Sequence, residues 1–212
     1  MNDSEFVARL RTRATQLGLT INGPQARELE KFYGLLAKWN SRINLTALEL
    51  GPSPQKVTLD RLFIEPLIAA ELIPNIPLSV IDLGSGAGSP ALPIKVVRPT
   101  VRLTMVETRG RKAAFLREAV RTLGMRDVEV EQARFQALPA SLSSEFDVAI
   151  VRALKADEDL LATVLDLLKP EGRFITFGVS EALPGFVVED SLRLPDGSQV
   201  VSWLPSEDAF LT

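Results

Sequence analysis

The 212-residue chain contains no cysteine and no histidine. Without thiols it can form no disulfide, no zinc–thiolate site and no cysteine nucleophile. Without imidazole it has no Ser-His-Asp triad, no histidine general base and no ordinary zinc hydrolase site. No metal site is expected. Nor is there an apolar run long enough to span a bilayer, or a signal peptide at the start, so a soluble, cytoplasmic protein with no membrane partner is expected. Positive charge is not in excess either. Lys and Arg number 24 against 27 Asp and Glu, a net charge of −3, which disfavours a strong nucleic-acid binder.

Apolar residues make up 46% of the chain, enough for a substantial core in one domain with an extension, or in two small ones. The charge is unevenly spread. Between residues 95 and 126 lie Lys95, Arg98, Arg102, Arg109, Arg111, Lys112, Arg117, Arg121 and Arg126, with Glu107 and Glu118 the only acids. That window carries +7, leaving −10 elsewhere. Such a patch suits an RNA-facing surface; a solvated helix face is the competing reading.

Near the start, Phe6, Leu10, Ala14 and Leu17 recur at helical spacing, capped by Asp3 or Ser4 and stopped by Gly18. A second helix starting near Pro24 aligns Leu29, Phe32, Leu36 and Trp39, and a third covers about 57–72. From residue 78 strands and helices alternate. A helix is expected over 111–123, with Ala113, Leu116, Ala119, Val120 and Leu123 inward and Gly124 as its cap. Strands are expected at 128–130, 146–151 and 173–177, with a helix over 157–168. The turn Pro195-Asp196-Gly197-Ser198 joins 192–194 to 199–204 as a hairpin.

The most informative stretch is 78–89, Leu-Ser-Val-Ile-Asp-Leu-Gly-Ser-Gly-Ala-Gly-Ser. A short buried strand ends at Asp82, and Gly84, Gly86 and Gly88 follow at every second position. Glycine lacks a Cβ, so the backbone can turn sharply and approach a ligand closely. Nineteen residues after Gly88, Glu107 ends a second apolar run, where a carboxylate can accept ribose hydroxyls. The dinucleotide fingerprint is Gly-x-Gly-x-x-Gly. Here the pattern is Gly-x-Gly-x-Gly after a strand-ending Asp, which resembles motif I of S-adenosylmethionine (AdoMet)-dependent methyltransferases.

Four segments together resemble a narrower family. They are Trp39-Asn40 with Asn44-Leu45-Thr46; Asp82 to Gly88 with Pro90 and Leu92-Pro93; Arg111-Lys112 with Phe115-Leu116; and Arg152-Ala153 after the fourth strand. The chain is similar over nearly its full length to the bacterial small-subunit (16S) ribosomal RNA guanine-N7 methyltransferases of the RsmG/GidB type. It departs from their pattern at Leu62, where the family has His, at Gln136, where it has an acid, and at Phe177, where it has Lys.

The resemblance implies an α/β, Rossmann-like class I AdoMet-dependent methyltransferase fold over 76–212, with an N-terminal helical extension over 1–75. It implies AdoMet bound by Asp82, Gly84, Ser85, Gly86, Gly88, Ser89, Glu107, Phe135, Gln136 and Arg152. Arg152 is the implied catalytic residue. Asn44, Thr46, Arg109, Arg111 and Lys112 are the implied contacts to ribosomal RNA or the small subunit, for an enzyme acting as a monomer. Two other readings stay open: a methyltransferase of the same fold acting on another RNA or a small molecule, and a catalytically impaired AdoMet-binding member. Chemistry favours N7, whose lone pair is free at neutral pH, so attack needs placement rather than deprotonation. Cytosine-C5 methylation uses a cysteine nucleophile, which this chain lacks.

Overall fold

The computed structural model describes residues 4–179 and 181–210. Ser4 caps α1 (Glu5–Gln16) by accepting the Val7 N–H, while Asp3, the other expected cap, lies outside the described residues. A capping box between Asn22 and Gln25, with Pro24 in the first turn, starts α2 (Gly23–Asn40). The third helical segment is not uniform. It begins as α3 (Lys56–Leu59), widens into a π turn (Asp60–Ile64) and continues as α4 (Glu65–Ala70). Such π turns often mark functional sites.

Aromatic packing fixes these helices to one another. Phe63 is fully buried, its ring centroid 5.3 Å from Phe6 and 6.1 Å from both Phe32 and Tyr33. Arg13 on α1 forks onto Asp60 in the π turn at 2.7 and 3.0 Å, tying the same elements by charge.

The remainder is a seven-stranded sheet in the order β3-β2-β1-β4-β5-β7-β6. The first five strands are parallel: β1 (Ser79–Leu83), β2 (Arg102–Val106), β3 (Val128–Glu131), β4 (Phe146–Val151) and β5 (Leu168–Phe177). β7 (Gln199–Pro205) runs antiparallel between β5 and the edge strand β6 (Phe186–Arg193). Crossovers are made by α5 (Ala91–Val97), α6 (Gly110–Leu123) and α7 (Glu158–Leu167). Strand order reverses between β1 and β4, where open α/β sheets bind ligands beyond their carboxyl ends.

Alternation along each strand divides the core in two. Val80, Leu103, Met105, Val148 and Ile150 face the N-terminal helices, α5 and α6, in one continuous apolar cluster. Ile81, Leu83, Val106, Ala149, Val151 and Phe174 pack against Leu160, Leu161, Val164 and Leu167 of α7.

Three expectations need correction. Leu17 is exposed, because α1 ends one residue earlier, and Val7 takes the inward position instead. On α6, Val120 and Leu123 pack against the core as expected, half-buried, but Phe115, absent from the expected inward set, is fully buried there too. β5 begins at Leu168 rather than Arg173, so Lys169-Pro170-Glu171-Gly172 lies within a strand. A register shift between Phe146 and Val148 on β4 accommodates these residues, consistent with the tolerance of Pro and Gly at sheet irregularities.

Phe63→Ala should remove the hub of the aromatic cluster and cost about 3–5 kcal/mol in denaturant unfolding. Because helices and sheet share one apolar cluster, unfolding should remain a single transition. A separate early transition for the helices would contradict the shared core.

Candidate active site

The loop after β1 lies at the reversal point of the sheet. Gly84 and Ser85 N–H groups both bond to the Val106 carbonyl, anchoring the loop to β2. Ser85 is buried and donates its hydroxyl to the Asp82 carbonyl at 3.0 Å. Gly86 has a φ of +54°, and a Cβ there would meet nothing closer than 3.7 Å. Its open side is what a ligand-facing backbone requires. Gly88 is different: at φ +79° its Cβ would lie 2.7 Å from Leu92 Cδ1 and 3.1 Å from Leu116 Cδ2. It lets the loop pack against α5 and α6.

Glu107, buried at the end of β2, closes the other side. Its Oε2 accepts the Gly86 N–H at 3.0 Å and its Oε1 accepts the Arg109 N–H at 2.7 Å. Asp82 is buried, and its Oδ2 meets no hydrogen-bond partner among the described residues. Desolvation pushes its pKa up to about 6; Ser85 and Arg152 oppose the rise and Glu107 adds to it. A buried acceptor beside a loop with an open backbone fits a ligand bearing a cationic group and hydroxyls.

Arg152 follows β4 directly, with Ala153 at a φ of +62° turning the chain away. Its guanidinium is largely buried. One terminal nitrogen donates to the Arg61 carbonyl at 2.6 Å, the other to the Ser89 carbonyl at 2.8 Å and Ser89 Oγ at 3.1 Å. Glu65 lies 3.7 Å away, and the Phe177 ring centroid 5.6 Å from the guanidinium carbon. Desolvation lowers the Arg152 pKa to about 10, partly offset by Glu65, so it stays charged at neutral pH. Ser89 in turn donates to the Leu62 carbonyl at 2.8 Å. The π turn, the glycine loop and the ends of β4 and β5 therefore meet at one cation.

The other expected residues divide. Phe135 and Gln136 form a short 3-10 turn, Phe135 packed against the α7-side core and Gln136 exposed. Arg109 and Arg111 are exposed at the start of α6. Lys112 reaches inward, its Nζ 4.0 Å from where a Gly86 Cβ would stand. Asn44 is exposed, whereas Thr46 Oγ1 accepts the Leu48 N–H. Asn40 organises that loop by accepting from the Leu45 and Thr46 N–H groups. Trp39 meets Phe115 edge-on at 5.8 Å, so its ring helps pack α2 on α6.

The basic window is not one surface. Lys95 is buried and donates to the Pro99 and Val101 carbonyls. Arg98 holds the Ile73 carbonyl, and Arg121 pairs with Glu118. Glu65 is not marked by any motif in the sequence. It is fully buried, bonded to Arg61 at 3.1 Å, and its signal is a lone acid after Leu62-Phe63-Ile64.

Strand order, glycine loop and acid-ended β2 fit a class I AdoMet-dependent methyltransferase. A family model described as rRNA small subunit methyltransferase G (GidB) matches residues 25–183. Ribosomal RNA small subunit methyltransferase G of Roseiflexus castenholzii is 34% identical over 197 residues, covering 92% of this chain and 82% of its own. The enzyme of that name from Halorhodospira halophila is 31% identical over 188 residues, covering 88% and 83%. The chain belongs to the rRNA small subunit methyltransferase G family. Among solved structures, a SAM-dependent methyltransferase from Aquifex aeolicus superposes with a TM-score of 0.57 at 14% identity, covering 72% of this chain and 94% of its own. The [4+2]-cyclase SpnF also matches, at TM-score 0.54, 18% identity and coverage of 82% and 76%. The fold alone therefore does not set the reaction.

The two inner glycines should separate by assay. Gly86→Ala should cost about 1–2 kcal/mol of stability, the left-handed backbone penalty, yet sharply weaken AdoMet binding in calorimetry. Gly88→Ala should cost a further 1–3 kcal/mol or so through overlap with Leu92 and Leu116. Equal AdoMet affinity for Gly86→Ala and wild type would remove the loop from the site.

Asp82 gives a pH signature. Its folded pKa is raised, so the protonated form favours folding and stability falls as pH rises from about 4 to 6, by about 3 kcal/mol. Asp82→Asn should flatten that segment of the stability profile. A ligand ammonium that pairs with the carboxylate should lose up to about tenfold in affinity per pH unit below 6. Stability rising steadily across that range would contradict the orphaned carboxylate.

Proposed function

We propose that this chain transfers the methyl group of AdoMet to N7 of a guanine in small-subunit ribosomal RNA. The observation that carries the reading is the family match over 25–183 in a chain with no His or Cys to act as base or nucleophile. AdoMet supplies an electrophilic methyl group on a sulfonium. N7 attacks as a neutral lone pair, so the residues need only bind, orient and exclude water.

Asp82 and Glu107 hold the cofactor by its cationic and hydroxyl groups, with the backbone from Gly84 to Gly88 against it. Gly84, Ser85 and Gly88 shape the loop, Ser89 ties it to the helical extension, and Phe135 and Gln136 flank the adenine. Lys112 belongs beside this cradle rather than on the RNA surface, because its amine stands next to Gly86. Arg109 and Arg111, exposed where the α6 dipole is also positive, meet RNA phosphates. The helical extension forms the far wall of the cleft through the Arg61 and Leu62 carbonyls, which accept from Arg152 and Ser89.

Arg152 sets the distance between that wall and the cofactor loop. Neither Ala nor Lys can reach both the Arg61 and Ser89 carbonyls as a planar fork does. Arg152→Ala and Arg152→Lys should each slow methyl transfer at least about tenfold, roughly 1.4 kcal/mol, with most AdoMet affinity retained. The function itself is tested by mass mapping small-subunit RNA from cells with and without the gene. One 7-methylguanosine should vanish without it and return when purified enzyme and AdoMet are added to those subunits. Identical modification maps would refute the reading.

A further inference from the structure

β5 ends at Phe177 and β7 begins at Gln199, antiparallel and paired through Phe177 and Val200. The turn between β6 and β7 therefore lies at the same sheet edge as the glycine loop and Arg152. Asp196 sits in that turn. Its Oδ1 accepts from the Ser198 N–H at 2.9 Å and the Ser198 hydroxyl at 2.6 Å, which fixes the carboxylate. Its Oδ2 faces Arg61 Nη1 at 3.4 Å. Arg61 is held from behind by buried Glu65, and its own carbonyl accepts from Arg152. Both side chains of the pair are about half exposed, 42% for Arg61 and 46% for Asp196. A donor and an acceptor thus stand side by side at the cleft edge, each locked by a second partner.

That pairing complements one face of guanine. Its Watson–Crick edge presents the O6 acceptor beside the N1–H and N2–H donors, whereas adenine presents the reverse order. We propose that Arg61 and Asp196 read the target guanine, Arg61 donating to O6 and Asp196 accepting from N1–H and N2–H through Oδ2, the oxygen that Ser198 leaves free. N7 is then left free to face the methyl donor. This rests on the guanine-N7 reading above. The two residues differ in timing. As the methyl group arrives, positive charge passes to the purine, and N1–H becomes a stronger donor while O6 becomes a weaker acceptor. Asp196 therefore contributes more in the transition state, Arg61 more in the ground state.

The test uses full-length enzyme, labelled AdoMet and small ribosomal subunits from cells lacking the gene. Asp196→Asn should lower kcat about tenfold or more, comparable to losing a bidentate base contact. Arg61→Gln should chiefly raise KM for the subunit. AdoMet affinity should stay within about twofold in both. Subunits reconstituted with inosine at the target, which lacks the N2 amine, should be poor substrates for wild type. Asp196→Asn should discriminate between guanosine and inosine far less. Asp196→Glu keeps the charge beside Arg61 but moves the carboxylate, and should show an intermediate defect. A purely structural bridge would shift the melting temperature and leave the guanosine-to-inosine ratio unchanged, which overturns the proposal alone. Wild type that methylates no guanine N7 overturns it together with the reading it rests on.

Discussion

The Arg152 guanidinium joins four parts of the molecule that sequence keeps far apart. It leaves the end of β4, holds the Arg61 carbonyl of the π turn, holds Ser89 after the glycine loop, and lies over Phe177 at the end of β5. A charge this buried is tolerated only when paired and hydrogen-bonded. Glu65 supplies the countercharge from a fully buried position, its own pKa raised by desolvation and held back by Arg61 and Arg152. Removing one partner of such a pair typically costs about 3–5 kcal/mol, because the other is left uncompensated. The spacing between the π turn and the glycine loop is therefore set by a contact that also carries part of the fold.

Glu107 makes a second joint with the same double character. The carboxylate expected to meet ribose already accepts the Gly86 and Arg109 backbone N–H groups. It has lone pairs remaining for hydroxyls, since a carboxylate offers about four acceptor positions. The position of the glycine loop therefore depends on one side chain, which still has acceptor capacity to spare. Asp82 is the counterpoint: its second oxygen meets no partner among the described residues, a buried cost that raises its pKa.

Much of this was legible from local pattern. The Asp82–Gly88 loop, Glu107 and Arg152 follow directly from strand ends read in sequence, because βα units place strand termini at one edge. The start of the first helix at Ser4 follows from capping chemistry, and that of the second from Pro24. What escaped was long-range pairing. Nothing near Asp196 indicates that it meets Arg61, 135 residues away. Nothing near Lys95 or Arg98 marks them as backbone anchors rather than part of a basic face. The first residues of the strand Leu168–Phe177 are not legible in sequence, because Pro170 and Gly172 are breakers unless a facing irregularity absorbs them.

The departures at Leu62 and Phe177 both lie around Arg152. Leu62 is buried with its carbonyl on Ser89, and Phe177 lies beneath the guanidinium. The cluster is thus internally consistent, apolar groups surrounding a cation that has its own countercharge. The most direct test is a crystal structure with S-adenosylhomocysteine, the demethylated cofactor product. The ligand should lie along Gly84–Gly88 with its ribose on Glu107 and its amine toward Asp82, while Arg152 still spans the Arg61 and Ser89 carbonyls. A ligand bound elsewhere, or Arg152 released from both carbonyls, would contradict the account.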